Sequence, residues 1–432
     1  MSALAQALLD SGHIVFGADR LVDQGGTTPV LEALKRQGVR LFPETGEGIT
    51  VDTDRVIVST AIEESNPGIV LARRLGIPVV HRAAALASAM EGRRLVAVAG
   101  TCGKSTVTAI LGHLMAECGF DPMVVNGAQI AGWDNGGERV GSVRFGNGEF
   151  VIAEVDESDR SLSVFKPYAA IVTNASADHY SEEEMNEVFD AFIKDVPGPV
   201  IDGRFILKGI KSLKGFSGLK AHADNEDTVG LKAPKALEIV ELAGNCPLPG
   251  EHNRANATLA LCMALALGAP RERLAAALAS FPGVERRLQR IGACGGAIVY
   301  DDYAHNPEKL AAMWRTLAVE YPQGVAAVWR PHGYGPLRKM LEPLTAMFTS
   351  VKRPQDKLLL LPVYDAGGTA DRSINSDALA ALVPGAQTVD DLNEAEKVLR
   401  QLAPAVGAIV TAGARDPGLP VLARRLAGKE NE

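Results

Sequence analysis

The segment Leu95-Val-Ala-Val-Ala-Gly-Thr-Cys-Gly-Lys-Ser-Thr106 runs from an apolar stretch through a glycine turn into a lysine and two hydroxyls. These are the residue types of a nucleotide phosphate site. Gly100 and Gly103 let backbone N–H groups face phosphate oxygens, Lys104 brings a positive charge that reaches the β and γ phosphates, and Ser105 can hold Mg²⁺. Thr101 and Thr106 complete the loop. Cys102 reads as a spacer, because backbone rather than side chains faces phosphate in such loops. The usual Walker spacing places a further glycine at position 98, where this chain has Val98, so the loop is a shorter variant.

Other polar groups follow apolar runs. Phe150-Val-Ile-Ala-Glu-Val-Asp-Glu-Ser-Asp159 delivers four acids at a strand end, the place where open α/β sheets bind ligands. Glu154 is the best metal candidate, since Mg²⁺ prefers oxygen ligands, although Asp156 shares its face. Glu157 and Asp159, beyond the apolar run, read as a solvated acidic loop. A third run ends in Asn174, Asp178 and His179, just before a helix capped by Ser181 with Glu184 three residues on. Asn253 and Asn256, three apart, share one helical face and can reach a base or a loop carbonyl. Arg286 and Arg287 offer guanidinium forks suited to phosphate, with a salt bridge at a domain hinge as the alternative use. Val299-Tyr-Asp-Asp-Tyr-Ala-His-Asn-Pro307 ends a further run with Asp302 and a His-Asn pair, and Pro307 suits the first turn of the next helix.

The elements that must position these groups alternate between strand and helix patterns almost end to end, which predicts an α/β protein with mostly parallel sheets. Strands are expected at 13–18, 39–42, 55–60 and 77–81 in a first block. A second block adds the phosphate strand, 150–155 and 168–174, and a third adds 297–303, 325–329, 357–364 and 408–412. Residues 203–245, rich in Lys and Gly, read as loops and irregular strands. At 432 residues the chain exceeds one ordinary core. Three domains are expected, at 1–93, 94–288 and 289–432. A net charge of −8 argues against nucleic acid as a partner. With no signal peptide or run of eighteen apolar residues the chain reads as cytoplasmic, with no membrane partner. Five scattered cysteines fit reduced thiols better than a disulfide framework.

Taken in order, Gly-Thr-Cys-Gly-Lys-Ser-Thr (100–106), Glu-Val-Asp-Glu-Ser-Asp (154–159), Thr-Asn-Ala-Ser-Ala-Asp-His (173–179), His-Asn-Arg-Ala-Asn-Ala (252–257), Glu-Arg-Arg (285–287) and Asp-Tyr-Ala-His-Asn-Pro (302–307) resemble the Mur ligase family over nearly the whole chain. The closest resemblance is to the branch that adds L-alanine to UDP-N-acetylmuramate and to its muramyl-tripeptide relative. It implies a truncated Rossmann-like N-terminal domain, a central P-loop ATPase-like domain and a C-terminal Rossmann-like domain that closes over ATP. The implied reaction forms an acyl phosphate, which an amine displaces, with ATP and Mg²⁺ as cofactors and a small carboxylate and an amino acid as substrates. Lys104, Glu154 and His179 would be catalytic, and Ser105, Glu154 and His179 would hold metal. Asn253 and Asn256 would contact adenine, Arg287 the phosphates and Asp302 the ribose.

The same resemblance exposes departures. Members of this branch begin with a strand and a glycine-rich turn that receive UDP, whereas Met1-Ser-Ala-Leu-Ala-Gln-Ala-Leu-Leu resembles the helix after them. The substrate half is therefore expected to lack its first strand. Segments 331–336, 364–369 and 411–416 also depart from the alanine-adding pattern and should help choose the amine. A ligase of the same chemistry on a folate-, polyglutamate- or cofactor-like acid, and a nucleotide-binding homologue without turnover, are the competing readings. A monomer or homodimer is expected.

Overall fold

The computed structural model describes residues 1–23, 25–60, 62–157, 161–175, 181–206, 233–365 and 371–429, with side chains in the helix at 233–243 described from 238 onward. The chain divides into two compact units, Met1–Pro247 with His252–Val284, and Leu248–Glu251 with Glu285–Glu432. The second division lies close to the boundary expected at 288, whereas residues 1–93 share a unit with the phosphate strand.

The first unit opens with helix Ser2–Asp10, as the resemblance implies for that segment, and then forms two small parallel sheets. In one, β1 (Phe16–Ala18) pairs with β2 (Arg40–Phe42); in the other, β3 (Val56–Val58) pairs with β4 (Val79–His81). All four strands fall inside the stretches expected from sequence. The helices between them carry ordinary start and stop chemistry. Helix Pro29–Arg36 has Pro at its first turn and Thr28 accepting from Leu31 N–H, and helix Pro67–Leu75 ends on Gly76 at φ 72°.

A six-stranded sheet follows: β5 (Arg94–Ala99), β6 (Met123–Val125), β7 (Val143–Arg144), β8 (Phe150–Glu154), β9 (Ala169–Val172) and β10 (Val200–Asp202). Their spatial order is β10-β9-β5-β8-β6-β7, parallel except for β7. β5 lies between β8 and β9, so both of its faces and both of its edges are covered. That is why Leu95–Ala99 is an unbroken apolar run rather than an alternating one. From β5 the chain builds β6 to β8 on one side and then crosses to β9 and β10 on the other. Such a reversal marks the carboxyl ends of β5, β8 and β9 as the place where open α/β sheets bind ligands. β6, β7 and β10 were not among the expected strands.

In the second unit, β11 (Gln289–Cys294), β12 (Ala297–Asp302), β13 (Val325–Trp329), β14 (Lys357–Leu360), β15 (Ala386–Thr388) and β16 (Ala408–Ala412) form another sheet. Its order is β11-β12-β16-β13-β14-β15, with only β11 antiparallel. β13 and β16 match the expected spans residue for residue, while the edge strands β11 and β15 were not expected. Trp314, Trp329 and Phe348 fill the core on one face in edge-on contacts, with ring centroids 5.9 Å and 6.1 Å apart. Trp314 Nε1–H donates to Asp356, which also accepts from Arg353 and Val325 N–H. Burial works against that carboxylate, but these donors hold it below its ordinary range.

One expectation is overturned. Ala233–Ala243, placed within a stretch of loops and irregular strands, is a helix. Ile239 and Ala243, four residues apart, are buried on one face of it, the spacing of a helix rather than a strand. Buried Ile239 and the Glu238–Arg271 ion pair at 2.7 Å tie it to helix Arg271–Ala279.

Candidate functional site

The phosphate loop of the first unit connects β5 to helix Lys104–Glu117. Gly103 is the N-terminal cap at φ 86°, and Gly100 has φ 126°. Both positions require glycine for reasons of space as well as conformation. A Cβ on Gly100 would lie 2.1 Å from Thr173 Oγ1 and 2.9 Å from Thr173 N, and one on Gly103 would lie 2.5 Å from Asn256 Oδ1. The helix's first N–H groups, which no residue within the helix satisfies, and its positive dipole end sit directly after this loop.

The strand end after β9 clamps the loop. Thr173 Oγ1 and Asn174 Nδ2 both donate to the Cys102 carbonyl, at 2.6 Å and 2.9 Å. Asn174 Oδ1 accepts from Cys102 N–H at 3.0 Å and Thr101 Oγ1 at 2.6 Å. Cys102 thus meets the clamp through its backbone N–H and carbonyl. Ser105 and Thr106 are buried in the first turn of the helix. Asn174 reaches the rim expected from sequence; Asp178 and His179, expected beside it, lie outside the described residues, as does Asp159.

Lys104 does not extend outward from the loop. Its Nζ donates to Gly100 O at 2.7 Å and to both carboxylate oxygens of Glu157, at 2.8 Å and 3.0 Å. Glu157 is 7% exposed, so its reading as part of a solvated acidic loop is wrong. The sheet order explains the error. β8 lies directly beside β5, and the chain leaving β8 turns back over the phosphate loop, which chain order alone does not reveal. Burial opposes the charge on Lys104, but Glu157, Glu154 and Asp156 outweigh it and hold the ammonium above its usual range. Burial pushes the Glu157 carboxyl up, against the pull of Lys104.

Glu154, the last residue of β8, accepts from Gly127 N–H at 2.8 Å. Its neighbour Asn126 donates from Nδ2 to the Ser105 carbonyl at 2.9 Å, and Asn126 Oδ1 accepts from Ala128 N–H. The turn after β6 therefore ties together Ser105 and Glu154, two of the three residues expected to hold metal. Sequence reading missed Asn126 and Gly127, which follow a strand it did not expect. Asp156 is drawn instead into an ion pair with Arg82 at 2.6 Å, which favours Glu154 as the metal-facing acid. Among the described residues no group of three or more His, Cys, Asp and Glu side chains forms a cage. One hydroxyl and one carboxylate beside a phosphate loop instead suit Mg²⁺, which keeps water and substrate phosphate among its ligands.

Asn126 is 1% exposed. Asn126→Ala leaves the second acceptor site of the Ser105 carbonyl and the Ala128 N–H without these partners, and is expected to cost about 1–3 kcal/mol. Denaturant unfolding checks this, and a loss under about 0.5 kcal/mol would show that water replaces the amide.

Asn253 and Asn256 are buried on helix Glu251–Ala266, with Asn256 Nδ2 3.5 Å from Asn253 Oδ1. Asn256 Oδ1 stands beside Gly103, 2.5 Å from where a Cβ there would lie.

The remaining candidates belong to the second unit. Arg286, at φ 57°, donates to Asp301 at 2.9 Å and to Gly413 O at 2.6 Å, and so takes the structural role of the arginine pair. Arg287 lies with its guanidinium carbon 5.5 Å from the centroid of the Tyr303 ring. Asp302 is buried and accepts from Leu288 N–H and Ala304 N–H, both at 2.7 Å. Burial pushes its carboxyl up to about 6, with Arg287 pulling the other way. Asn306 caps helix Pro307–Glu320 by accepting from Lys309 N–H, with Pro307 at the first turn as predicted.

His305 and His332 meet edge-on with centroids 5.0 Å apart at the carboxyl ends of β12 and β13. Burial, aided by Lys309, His332 and Arg287, pushes His305 down to about 4, against the pull of the Tyr303 carbonyl. Between about pH 4 and the ordinary 6.5, unfolding therefore takes up a proton at this ring. Its effect is a loss of stability as pH falls through that window, by at most about 1.4 kcal/mol per pH unit. Asp302 slopes the opposite way between 3.8 and about 6, so the informative comparison is with His305→Gln. Thermal unfolding at pH 4.5 and 7 should show a larger gain with pH in the wild type; equal gains would refute the assignment.

The sequence model described as "Mur ligase family, catalytic domain" matches residues 1–94, and that described as "Mur ligase, glutamate ligase domain" matches 286–415. A UDP-N-acetylmuramate–L-alanine ligase of Hyphomonas neptunium is 33% identical, covering 96% of this chain and 93% of the relative. The crystal structure of UDP-N-acetylmuramate-alanine ligase from Thermotoga maritima is similar with a TM-score of 0.72 at 25% identity, over 99% of this chain and 96% of that one. A murein peptide ligase of Psychrobacter arcticus shares the fold with a TM-score of 0.64 at 18% identity, over 100% and 97%.

Proposed function

The chain belongs to the Mur ligase family, and from that premise we propose that it joins the carboxylate of UDP-N-acetylmuramate to L-alanine in peptidoglycan synthesis, driven by ATP. One observation carries the choice of substrates: the alanine-adding ligase of Hyphomonas neptunium matches nearly end to end, at 93% of its length, with the phosphate loop intact here.

The reaction forms ADP. A carboxylate oxygen attacks the γ-phosphorus as the bond to the β-phosphate oxygen breaks, and the amine nitrogen then displaces phosphate from the acyl carbon and loses a proton. Lys104 stabilises negative charge on the transferring phosphoryl group, a role that needs it charged, as its carboxylate neighbours keep it. Gly100, Gly103 and the helix start offer N–H groups to the phosphates, while Thr173 and Asn174 fix the loop's shape in advance. Ser105 and Glu154 would hold Mg²⁺, which supplies charge neutralisation and in-line orientation of the phosphoryl group. Asn126 and Gly127 keep both ligands in place. His179 is assigned a second cation by resemblance alone. The segments at 331–336, 364–369 and 411–416, with His332 beside His305 and Asp416 paired to Arg330 at 2.5 Å, are assigned the choice of amine, residues 366–369 lying outside the described residues.

Phosphate release from ATP with a panel of acids and amino acids tests the proposal. Turnover that requires both UDP-N-acetylmuramate and L-alanine is expected. Turnover with a folate-like acid instead would move the enzyme to another branch, and none with any pair would leave a nucleotide-binding homologue.

A further inference from the structure

We propose that Glu157 is a positioning residue that holds Lys104 folded over its own loop until a nucleotide phosphate takes its place, so that binding the nucleotide and breaking this ion pair are one event; the inference rests on the nucleotide reading above. An ammonium has three N–H donors. In Lys104 all three have an acceptor: the Gly100 carbonyl and the two oxygens of Glu157. None is left for a phosphate oxygen, and both side chains are buried, at 14% and 8% exposure. A phosphate can gain Lys104 only if an existing acceptor yields.

Glu157 is the acceptor that exchanges. The Gly100 carbonyl is backbone, fixed by a loop whose residues are clamped by Thr173 and Asn174. The Glu157 side chain can rotate, and it meets Lys104 through two contacts of the kind a phosphate reproduces. After the exchange Lys104 is again paired with an anion, but Glu157 is left as a buried carboxylate beside Asp156 and close to a polyphosphate. That cost is subtracted from nucleotide affinity. Glu157 therefore stabilises the empty loop and weakens the filled one. A residue that merely braces the loop would stabilise both.

The test is calorimetric titration of the full chain with ADP and with a non-hydrolysable ATP analogue, together with thermal unfolding of the nucleotide-free protein. Glu157→Gln, which keeps the shape and removes the charge, should lower the dissociation constants by about threefold or more, with the larger effect on the ATP analogue, while lowering the melting temperature of the empty protein. Glu157→Asp, which withdraws the charge by one methylene, should fall between wild type and Glu157→Gln, and serves alone if the Gln variant does not fold. Dissociation constants that rise or stay unchanged in the variants would overturn the inference. Failure of the wild type to bind either nucleotide would instead overturn the nucleotide reading itself.

Discussion

Lys104→Met lowers ATP-dependent phosphate release by about 10²–10³-fold or more, the loss expected when a preorganised charge is removed from a developing phosphoryl transition state. The effect should fall on kcat at least as much as on KM, because negative charge at the transferring group is greatest in the transition state. Methionine keeps most of the volume and the apolar stem, so the loop's packing survives. The change does leave Glu157 buried without its partner, at 8% side-chain exposure. The carboxyl of Glu157 can then take up a proton, which limits the structural damage. Steady-state kinetics alongside unfolding separates the two effects. A variant that folds and retains more than about a tenth of wild-type kcat would show that Lys104 is not the phosphoryl-facing charge.

Gly100→Ala is the second large effect, and it acts through the backbone. Its Cβ would lie 2.1 Å from Thr173 Oγ1, 2.9 Å from Thr173 N and 3.1 Å from Asn174 N, and φ is 126°. The first of these atoms belongs to a side chain, but that hydroxyl is committed to the Cys102 carbonyl. The other two belong to a strand end that cannot retreat, since Thr173 N–H is itself bonded to Ala99 O at 2.9 Å. The variant must break the clamp or shift the loop, at about 2–3 kcal/mol for the backbone conformation and overpacking together. Nucleotide affinity should fall with stability, because the N–H groups facing phosphate move with the loop. Wild-type affinity and melting temperature in Gly100→Ala would show that the loop tolerates another path.

The parts of this site that were legible in the sequence are contiguous ones. The strand, glycines, lysine and hydroxyls of 95–106 occupy one stretch, and their order is itself the signal. Single strands with four or more buried residues, such as 325–329 and 408–412, were equally plain. What escaped depends on which strand ends become neighbours. Glu157 reads as surface acid in the chain order and is buried only because β8 lies against β5, and Asn126 follows a strand buried throughout, with no alternation to mark it. Arg286 and Arg287 are adjacent and chemically identical. Only the left-handed backbone at Arg286 and the Asp301 carboxylate separate the structural arginine from its neighbour.

The central claim is that the phosphate loop activates a carboxylate as an acyl phosphate before the amine arrives. Its most direct test uses UDP-N-acetylmuramate labelled with ¹⁸O in the carboxylate, turned over with ATP and L-alanine, and mass spectrometry of the released phosphate. Attack by the carboxylate on the γ-phosphorus leaves one of its oxygens on phosphate after amide formation, so one ¹⁸O per phosphate released is the predicted result. Amide formation with unlabelled phosphate would contradict it.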